Sequence, residues 1–264
     1  MDLQLSGKTA LVTGSTAGIG FATAKRLLQE GATVHLNGRT KARVDQAITQ
    51  LRKDIPDAKV SGVAADFSKA GEVEALLVQL PAVDILINNV AIFGPKAFTE
   101  ITDREWLDFF EVNVLSGVRL SRHYLPGMLD RNWGRIIFIS SESAINIPEE
   151  MIHYGATKTM QLGVSRGLAE LTKGTAVTVN AILPGPTKSE GVKDFIHDLA
   201  AHQGKTEAEM EKDFFVSARP TSLLKRFTST DEVANLIAFI ASPLSSGTNG
   251  SALRVDGGVV KTAV

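Results

Sequence analysis

The sequence contains no cysteine among its 264 residues. This excludes disulfide bonds, thiolate nucleophiles and zinc sites built on cysteine. The five histidines form no HExxH pattern. No metal site is therefore predicted, and any redox chemistry is expected to proceed without zinc.

Neither sign of charge is in excess, because 28 Lys and Arg residues face 29 Asp and Glu residues. A balanced charge argues against nucleic acid or a membrane surface as a partner. No apolar run approaches the ~18 residues of a membrane span, and the first residues, MDLQLSGK, lack the pattern of a signal peptide. We predict a cytoplasmic protein whose partners are small molecules or other subunits.

Seven short runs of aliphatic and β-branched residues alternate with helical stretches. Their continuous apolar character is typical of parallel strands that are covered on both faces. The pattern predicts an α/β fold, namely a Rossmann-type doubly wound parallel sheet of about seven strands with helices on both faces. No linker or repeat interrupts it, so we predict a single domain over residues 1–264. The predicted strands are 9–13, 33–37, 59–65, 84–88, 135–140, 176–183 and 251–255.

Helical periodicity is clearest in residues 21–30, 40–54, 103–125 and 154–171. Gly31 follows the first of these segments and is a typical left-handed helix stop. The charge-rich stretch from Glu190 to Arg219 interrupts the alternation of strands and helices, and we interpret it as an inserted pair of helices. Such an insert is either a lid over a substrate site or a solvated surface pair.

A glycine turn follows the first predicted strand and precedes the first predicted helix. Its residues run Gly14-Ser15-Thr16-Ala17-Gly18-Ile19-Gly20. A turn of this kind lets a pyrophosphate approach the backbone, and the N-terminus of the helix supplies amide donors. The order of strand, turn, helix and second strand therefore predicts a dinucleotide site. We expect contacts from Gly14, Ser15, Thr16, Gly18, Ile19 and Gly20.

Tyr154 and Lys158 stand four residues apart in a predicted helix, so their side chains share one face. A cation beside a phenol lowers the pKa of the phenol. Bringing the pKa of a tyrosine from ~10 to neutrality requires roughly 4 kcal/mol of preference for the phenolate. The pair predicts a tyrosine that works as a general acid or base, with Lys158 lowering its pKa.

The spacing of the turn is GxxxGxG, and Thr13 precedes it. In this feature the chain resembles the short-chain dehydrogenase/reductases, which carry TGxxxGxG. The resemblance continues in the family's order over most of the chain, through Asp66, Asn88-Asn89, Asn113, Ser141, Tyr154, Lys158 and Pro184-Gly185. Two motifs differ from the family pattern, since Ala91 replaces a glycine after Asn89 and Ser189 replaces a threonine.

The resemblance implies further cofactor contacts. Asp66 is expected at the adenine amino group, Phe67 through its backbone, and Asn89 on the side of the nicotinamide ribose. Asn88 is expected to be structural. The PGPTKS segment implies that Pro184, Gly185, Thr187 and Ser189 lie near the carboxamide, with Thr187 contributing its backbone.

The second predicted strand ends in Asn37-Gly38-Arg39, and no acidic residue follows before Asp45. A ribose 2′-hydroxyl is held by a carboxylate at this point, whereas a 2′-phosphate requires an arginine. We interpret Arg39 as the clamp for a 2′-phosphate, which favours NADP(H) over NAD(H). The competing interpretation of Arg39 is an exposed loop arginine, and Ala17 stands where many NADP-using relatives carry a second basic residue.

The catalytic roles also follow the resemblance. Ser141 lies thirteen residues before Tyr154, which is the family's spacing for the serine that positions the carbonyl oxygen. Lys158 is expected to bind the nicotinamide ribose, and Asn113 to anchor a water that links Lys158 to solvent. The substrate pocket is predicted to draw on Glu142, Phe93 and the 190–219 insert.

We therefore predict an NADP(H)-dependent oxidoreductase that transfers a hydride between the nicotinamide and a ketone or secondary alcohol, with the tyrosine as general acid or base. The alternatives are an NAD-dependent sugar, alcohol or hydroxysteroid dehydrogenase of the same family, and a non-catalytic dinucleotide sensor. The resemblance implies a homotetramer, with a dimer as the next choice.

Overall fold

The structure is a computed structural model that describes residues 1–193, 200 and 204–263. Seven strands form one sheet, in the order β3-β2-β1-β4-β5-β6-β7. Every neighbouring pair is parallel. The strands are β1 (Thr9–Val12), β2 (Thr33–Gly38), β3 (Val60–Ala64), β4 (Ile85–Asn88), β5 (Gly134–Ile139), β6 (Val177–Pro184) and β7 (Ala252–Val255). All seven predicted strands are confirmed, and each end lies within one residue of its predicted position.

Helices cover both faces of this sheet, as predicted. They are α1 (Gly18–Gln29), α2 (Lys41–Asp54), α3 (Ala70–Gln79), α4 (Asp103–Phe110), α5 (Ser116–Asp130), α6 (Ile152–Glu170), α7 (Glu207–Ser217) and α8 (Thr230–Ala241). Gly31 follows α1 with a φ of +85°, which is the left-handed conformation expected of a helix stop. Among the described residues, no helix combines the length and the apolar character that crossing a bilayer requires.

Two apolar cores lie on opposite faces of the sheet. Leu27 of α1, Leu51 of α2 and Ile237 of α8 belong to the first core. The second core lies beneath α3, α5 and α6 and includes Leu76 and Leu125. Full burial of one such side chain contributes about 1.5–3 kcal/mol to folding. The two-sided burial explains why the strands read as continuous apolar runs.

The order of the strands reverses at β1, which pairs with β2 on one side and with β4 on the other. At such a switch point the connections leave in opposite directions and open a crevice beyond the carboxyl ends of the strands. Gly14 follows β1 and Asn89 follows β4. The topology therefore brings the two motifs to one edge of the sheet.

The long helix predicted over residues 103–125 differs in the structure. It consists of α4, a π-helical turn from Glu111 to Leu115, and α5. Thr102 begins α4 with a capping box that it forms with Glu105. Periodicity did not reveal the π turn, because one extra residue in a turn leaves the apolar pattern almost unchanged.

The insert contributes α7, which begins at the capping residue Thr206. Met210 and Phe215 of this helix pack with Phe227 in a small apolar cluster of their own. Most of the other predicted helix of the pair, at 194–199 and 201–203, lies outside the described residues.

Candidate active site

The glycine turn after β1 has the backbone conformation that a dinucleotide site requires. Gly14 and Gly18 both have a φ of +59°, in the left-handed region that favours glycine. A Cβ on Gly20 would lie 2.4 Å from the carbonyl oxygen of Gly14. Helix α1 starts without a capping side chain, so its first amides keep their hydrogen-bonding capacity. These features fit a bound pyrophosphate.

Ser15 is predicted to contact the cofactor, but both of its hydrogen-bond donors are engaged within the protein. Its amide donates to the carbonyl oxygen of Asn37 at 2.8 Å, and its hydroxyl donates to that of Val12 at 2.7 Å. The side chain is fully buried. Because both donors of Ser15 are used within the sheet, this residue fixes the turn to β2 and has no donor left for a phosphate.

The side chain of Asn89 also forms hydrogen bonds within the protein. Its side-chain amide donates to the carbonyl oxygens of Thr13 and Gly14, at 2.9 and 3.1 Å. This ties the end of β4 to the glycine turn and leaves the side-chain oxygen of Asn89 able to accept from a cofactor. Asn88 is buried and donates to Ser121 at 3.3 Å, in keeping with the structural role predicted for it.

Arg39 and Asp66 follow β2 and β3, on the adenine side of the predicted site. Arg39 is exposed. Hydrogen bonds from Ser68, with a smaller contribution from Arg39, hold the pKa of Asp66 below its usual value. Asp66 holds the turn before α3 and does not cap the helix, which begins after Lys69. Phe67 is buried in the core, so only its backbone can face a cofactor.

The segment after β6 lies across from the glycine turn. A Cβ on Gly18 would come within 3.5 Å of the Cβ of Ser189. The hydroxyl of Thr187 is engaged with Gly185 and Thr228, which leaves its backbone for a ligand. Gly185, which follows Pro184, is required by packing, because its Cβ would lie 2.5 Å from the carbonyl oxygen of Asp256.

Ser141 follows β5 and a neighbouring amide holds its hydroxyl oxygen. The amide of Ser143 donates to this oxygen at 3.1 Å. The hydroxyl of Ser140 donates to the backbone carbonyl of Lys158 at 2.9 Å, so Ser140 fastens the end of β5 to α6. The two neighbouring serines therefore have different partners, and Ser141 remains the serine predicted to position a carbonyl oxygen.

Tyr154 and Lys158 share one face of α6, and Lys158 Nζ lies 5.6 Å from the centre of the Tyr154 ring. The pKa of Tyr154 shifts in the direction opposite to the prediction, and burial rather than Lys158 is the main cause. Burial raises the pKa of Tyr154 to about 12, although a hydrogen bond with Ser141 lowers it. Burial also lowers the pKa of Lys158 to about 7. Desolvation is therefore the main cause of both shifts, since it disfavours the charged form of each group.

Asn113 lies in the π-helical turn and is buried. Its side-chain oxygen accepts from the amide of Ile92 at 2.7 Å, and its side-chain amide donates to Thr157 at 3.0 Å. Its backbone carbonyl accepts from Gln161 Nε2. The connection from Asn113 to Lys158 therefore passes through the side chain of Gln161, a residue that sequence reasoning did not identify.

Glu142 and Arg219 form a buried ion pair beside Ser141, with 2.8 Å between Glu142 Oε1 and Arg219 Nε. Glu142 Oε2 has no partner among the described residues. Burial raises the pKa of Glu142, and Arg219 opposes this shift. The pair connects the end of the insert to the loop after β5. Only the placement of Glu142 near the pocket was predicted, because its partner is 77 residues away.

Comparison with known proteins shows the family to which the chain belongs. A family model described as short chain dehydrogenase matches residues 8–200. The uncharacterized oxidoreductase YvaG of Bacillus subtilis is 48% identical over 262 residues, which cover 99% of both chains. The D-beta-hydroxybutyrate dehydrogenase of Cupriavidus necator is 32% identical, over 97% of this chain and 99% of its own.

Among solved structures, the L-sorbose reductase of Gluconobacter frateurii, complexed with NADPH and L-sorbose, superposes with a TM-score of 0.92. It is 31% identical, and the match covers 99% of this chain and 100% of that one. The family model, the relatives and the shared fold all indicate the same family. The chain therefore belongs to the short-chain dehydrogenase/reductase family of oxidoreductases, which act on CH–OH and C=O groups.

Proposed function

We propose that this protein is an NADPH-dependent carbonyl reductase whose general acid is Tyr154. The observation that carries the proposal is the grouping of Tyr154, Ser141 and Lys158 beyond the carboxyl end of the sheet. The raised pKa of Tyr154 keeps the phenol protonated at neutral pH. A protonated phenol is the form that a reductase needs before it donates its proton.

Bound NADPH would supply the hydride that reaches the carbonyl carbon. Ser141 hydrogen-bonds the carbonyl oxygen and sets its position. The Tyr154 hydroxyl gives its proton to that oxygen as negative charge develops, so hydride and proton together convert C=O into CH–OH. Lys158 has a pKa of about 7, and in its charged form it stabilises the phenolate that proton donation leaves behind.

The preference for NADP(H) rests on Arg39, which is exposed just after β2. An arginine at this position can bind a 2′-phosphate, whereas a carboxylate there would repel it. The sorbose reductase complex, which contains NADPH, supports the same choice. NAD(H) use is the alternative. Comparing kcat/KM for the two cofactors distinguishes an NADP-linked reductase from an NAD-linked sugar, alcohol or hydroxysteroid dehydrogenase.

For the substrate, the similarity to L-sorbose reductase favours a hydroxylated ketone of sugar type. Relatives named D-beta-hydroxybutyrate dehydrogenase and 3alpha-hydroxysteroid dehydrogenase favour a secondary alcohol instead. A panel of L-sorbose, simple ketones, β-keto esters and 3-hydroxybutyrate separates these classes by kcat/KM. A non-catalytic dinucleotide sensor is less consistent with Lys158, because a binding module has no use for a buried amine beside a tyrosine.

The proposal extends to the insert, the assembly and the location of the protein. The buried contact between Arg219 and Glu142 supports a lid that joins the insert to the site. We propose a homotetramer, with a dimer as the next choice, in the cytoplasm. Light scattering tests the tetramer, which requires a mass four times the 28.2 kDa of one chain.

The catalytic assignment is tested by replacing each of the two tyrosines of the chain. Tyr154→Phe removes the proton donor, so we expect carbonyl reduction to fall by about 10²–10⁴-fold while the protein still binds NADPH in a fluorescence titration. Tyr124→Phe is the matched control, because the Tyr124 hydroxyl donates to the carbonyl oxygen of Leu80 and not to a residue of the proposed site. Near-normal turnover by Tyr154→Phe would remove Tyr154 from the mechanism.

A further inference from the structure

Gln161 lies one turn after Lys158 on α6 and is 2% exposed. Its two polar atoms face two different members of the proposed catalytic set. Gln161 Oε1 accepts from Lys158 Nζ at 3.4 Å, and Gln161 Nε2 donates to the backbone carbonyl of Asn113 at 2.5 Å. The carboxamide therefore forms a direct bridge between α6 and the π-helical turn.

The π-helical turn presents the carbonyl of Asn113 to this bridge. At its end the amide of Ser116 donates to the carbonyl of Glu111, five residues back. Such turns change the direction of backbone groups and are frequent at functional sites. The Asn113 side chain cannot replace Gln161, because Ile92 and Thr157 already bind it.

Lys158 Nζ is held by two neutral acceptors, Gln161 Oε1 and the carbonyl oxygen of Ile139, which is 2.8 Å away. Tyr154 is the titratable neighbour of Lys158 on α6. Glu142 and Arg219, from the loop after β5 and from the insert, act on the charge of Tyr154. Among the described residues, no carboxylate forms an ion pair with Lys158.

We infer that Gln161 is a positioning residue of the catalytic set, which fixes Lys158 Nζ against Asn113 at the point where a bridging water was predicted. The inference rests on the proposed function. A carboxamide holds its partners through one donor and one acceptor of fixed direction, whereas a water can rotate and pass on a proton. Gln161 therefore fixes the position of the amine and does not serve as a relay of its protons.

Three substitutions at Gln161 test this bridge. Gln161→Leu removes both hydrogen bonds and fills the space, so we expect kcat to fall roughly tenfold or more as Lys158 is displaced. Gln161→Ala leaves room for a water between two polar groups, so we expect it to keep a clearly higher kcat than Gln161→Leu. A residue that only fills space predicts the reverse order, because alanine leaves the larger cavity.

Gln161→Glu supplies a readout that a purely space-filling residue would not change. The new carboxylate stabilises the charged form of Lys158 and disfavours the phenolate of Tyr154, which raises the pKa values of both groups. We expect the pH dependence of alcohol oxidation to move upward by about one pH unit or more. Met160→Ala, on the exposed side of the same helix, is the matched control and should keep the wild-type profile.

A direct measurement separates this inference from the proposed function. The pKa of Lys158, followed by NMR with ¹³C-labelled lysine in the full-length chain, should rise in Gln161→Glu whether or not a substrate is known. An unchanged lysine pKa, or a kcat of Gln161→Leu equal to that of the wild type, would overturn the bridge. Inactive wild-type protein with a raised lysine pKa in Gln161→Glu would contradict the proposed function alone.

Discussion

The proposed preference for NADP(H) depends on the side chain of Arg39. It is exposed at the end of β2, close enough to Asp66 to contribute to lowering the pKa of that residue. A guanidinium pairs with a phosphate through two parallel hydrogen bonds, and it gains much less from a 2′-hydroxyl.

Arg39→Asp should therefore move the cofactor preference toward NADH. The substitution removes the phosphate partner and adds a carboxylate that repels a 2′-phosphate and accepts from a ribose hydroxyl. We expect the ratio of kcat/KM for NADPH over NADH to fall by at least about tenfold, which corresponds to ~1.4 kcal/mol. Lys53→Asp makes the same change of charge near the end of α2 and is the control. An unchanged ratio in Arg39→Asp would argue against the clamp.

At the scale of single residues, the motif identified which residues lie at the site but not the hydrogen-bond partners of their side chains. Ser15 and Asn89 occupy cofactor positions in the motif, yet their donors bind the protein. Sequence spacing states which residues reach the edge of the sheet. The partner of each hydrogen bond depends on the register of β1, β2 and β4, and the motif does not specify this register.

At the scale of elements, the glycine turn and α1 form one rigid unit. Gly20 lies in the first turn of α1, where a Cβ would meet Gly14 O at 2.4 Å and Asn89 Nδ2 at 2.6 Å. Both contacts are too short for any real Cβ, and the nearer one is to backbone. The glycine turn can therefore pack this closely against α1 only because Gly20 has no side chain.

Gly20→Ala should lower the affinity for NADPH more than tenfold, because the turn must open to admit the methyl group. Overpacking of this kind costs about 1–3 kcal/mol of unfolding free energy. Gly163→Ala is the matched control in α6, where nothing lies within 4 Å of the new Cβ. It should raise the unfolding free energy by about 0.5–1 kcal/mol and leave NADPH binding unchanged. Equal effects of the two variants in urea unfolding would contradict this account.

The π-helical turn is an element that periodicity did not predict. The apolar pattern of residues 103–125 reads as one helix, whereas the structure divides it at Glu111–Leu115. At this π-helical turn, Asn113 forms hydrogen bonds with Ile92 and Thr157. These contacts join residues from other parts of the chain, so a local pattern cannot contain them.

At the scale of the whole molecule, the pair of Glu142 and Arg219 links the loop after β5 to the insert. Their side chains are 3% and 9% exposed. A buried charge that loses its partner is strongly destabilising, whereas an exposed pair contributes little. The second carboxylate oxygen of Glu142 has no partner among the described residues, which makes the carboxylate more dependent on Arg219.

Arg219→Ala should lower the unfolding free energy by about 3–5 kcal/mol at neutral pH. Loss of Arg219 raises the pKa of Glu142 further above its unfolded value. The penalty is therefore small below the unfolded pKa and grows as the pH rises through the folded pKa. Arg226→Ala, which removes an exposed pair with Glu232, should cost at most about 1 kcal/mol. Denaturant unfolding at acid and neutral pH checks both values, and a loss for Arg219→Ala that does not depend on pH would contradict the role of Glu142.

The sequence by itself determined the seven strands, their alternation with helices, and the order of the glycine turn, Ser141, Tyr154 and Lys158. Apolar runs and motif spacing are local properties, and folding preserves them. Only the tertiary structure decided that Gln161 joins Lys158 to Asn113, and that burial raises the pKa of Tyr154 while lowering that of Lys158. Desolvation and hydrogen-bond partners depend on every element packed around a group, and these neighbours are distant in sequence.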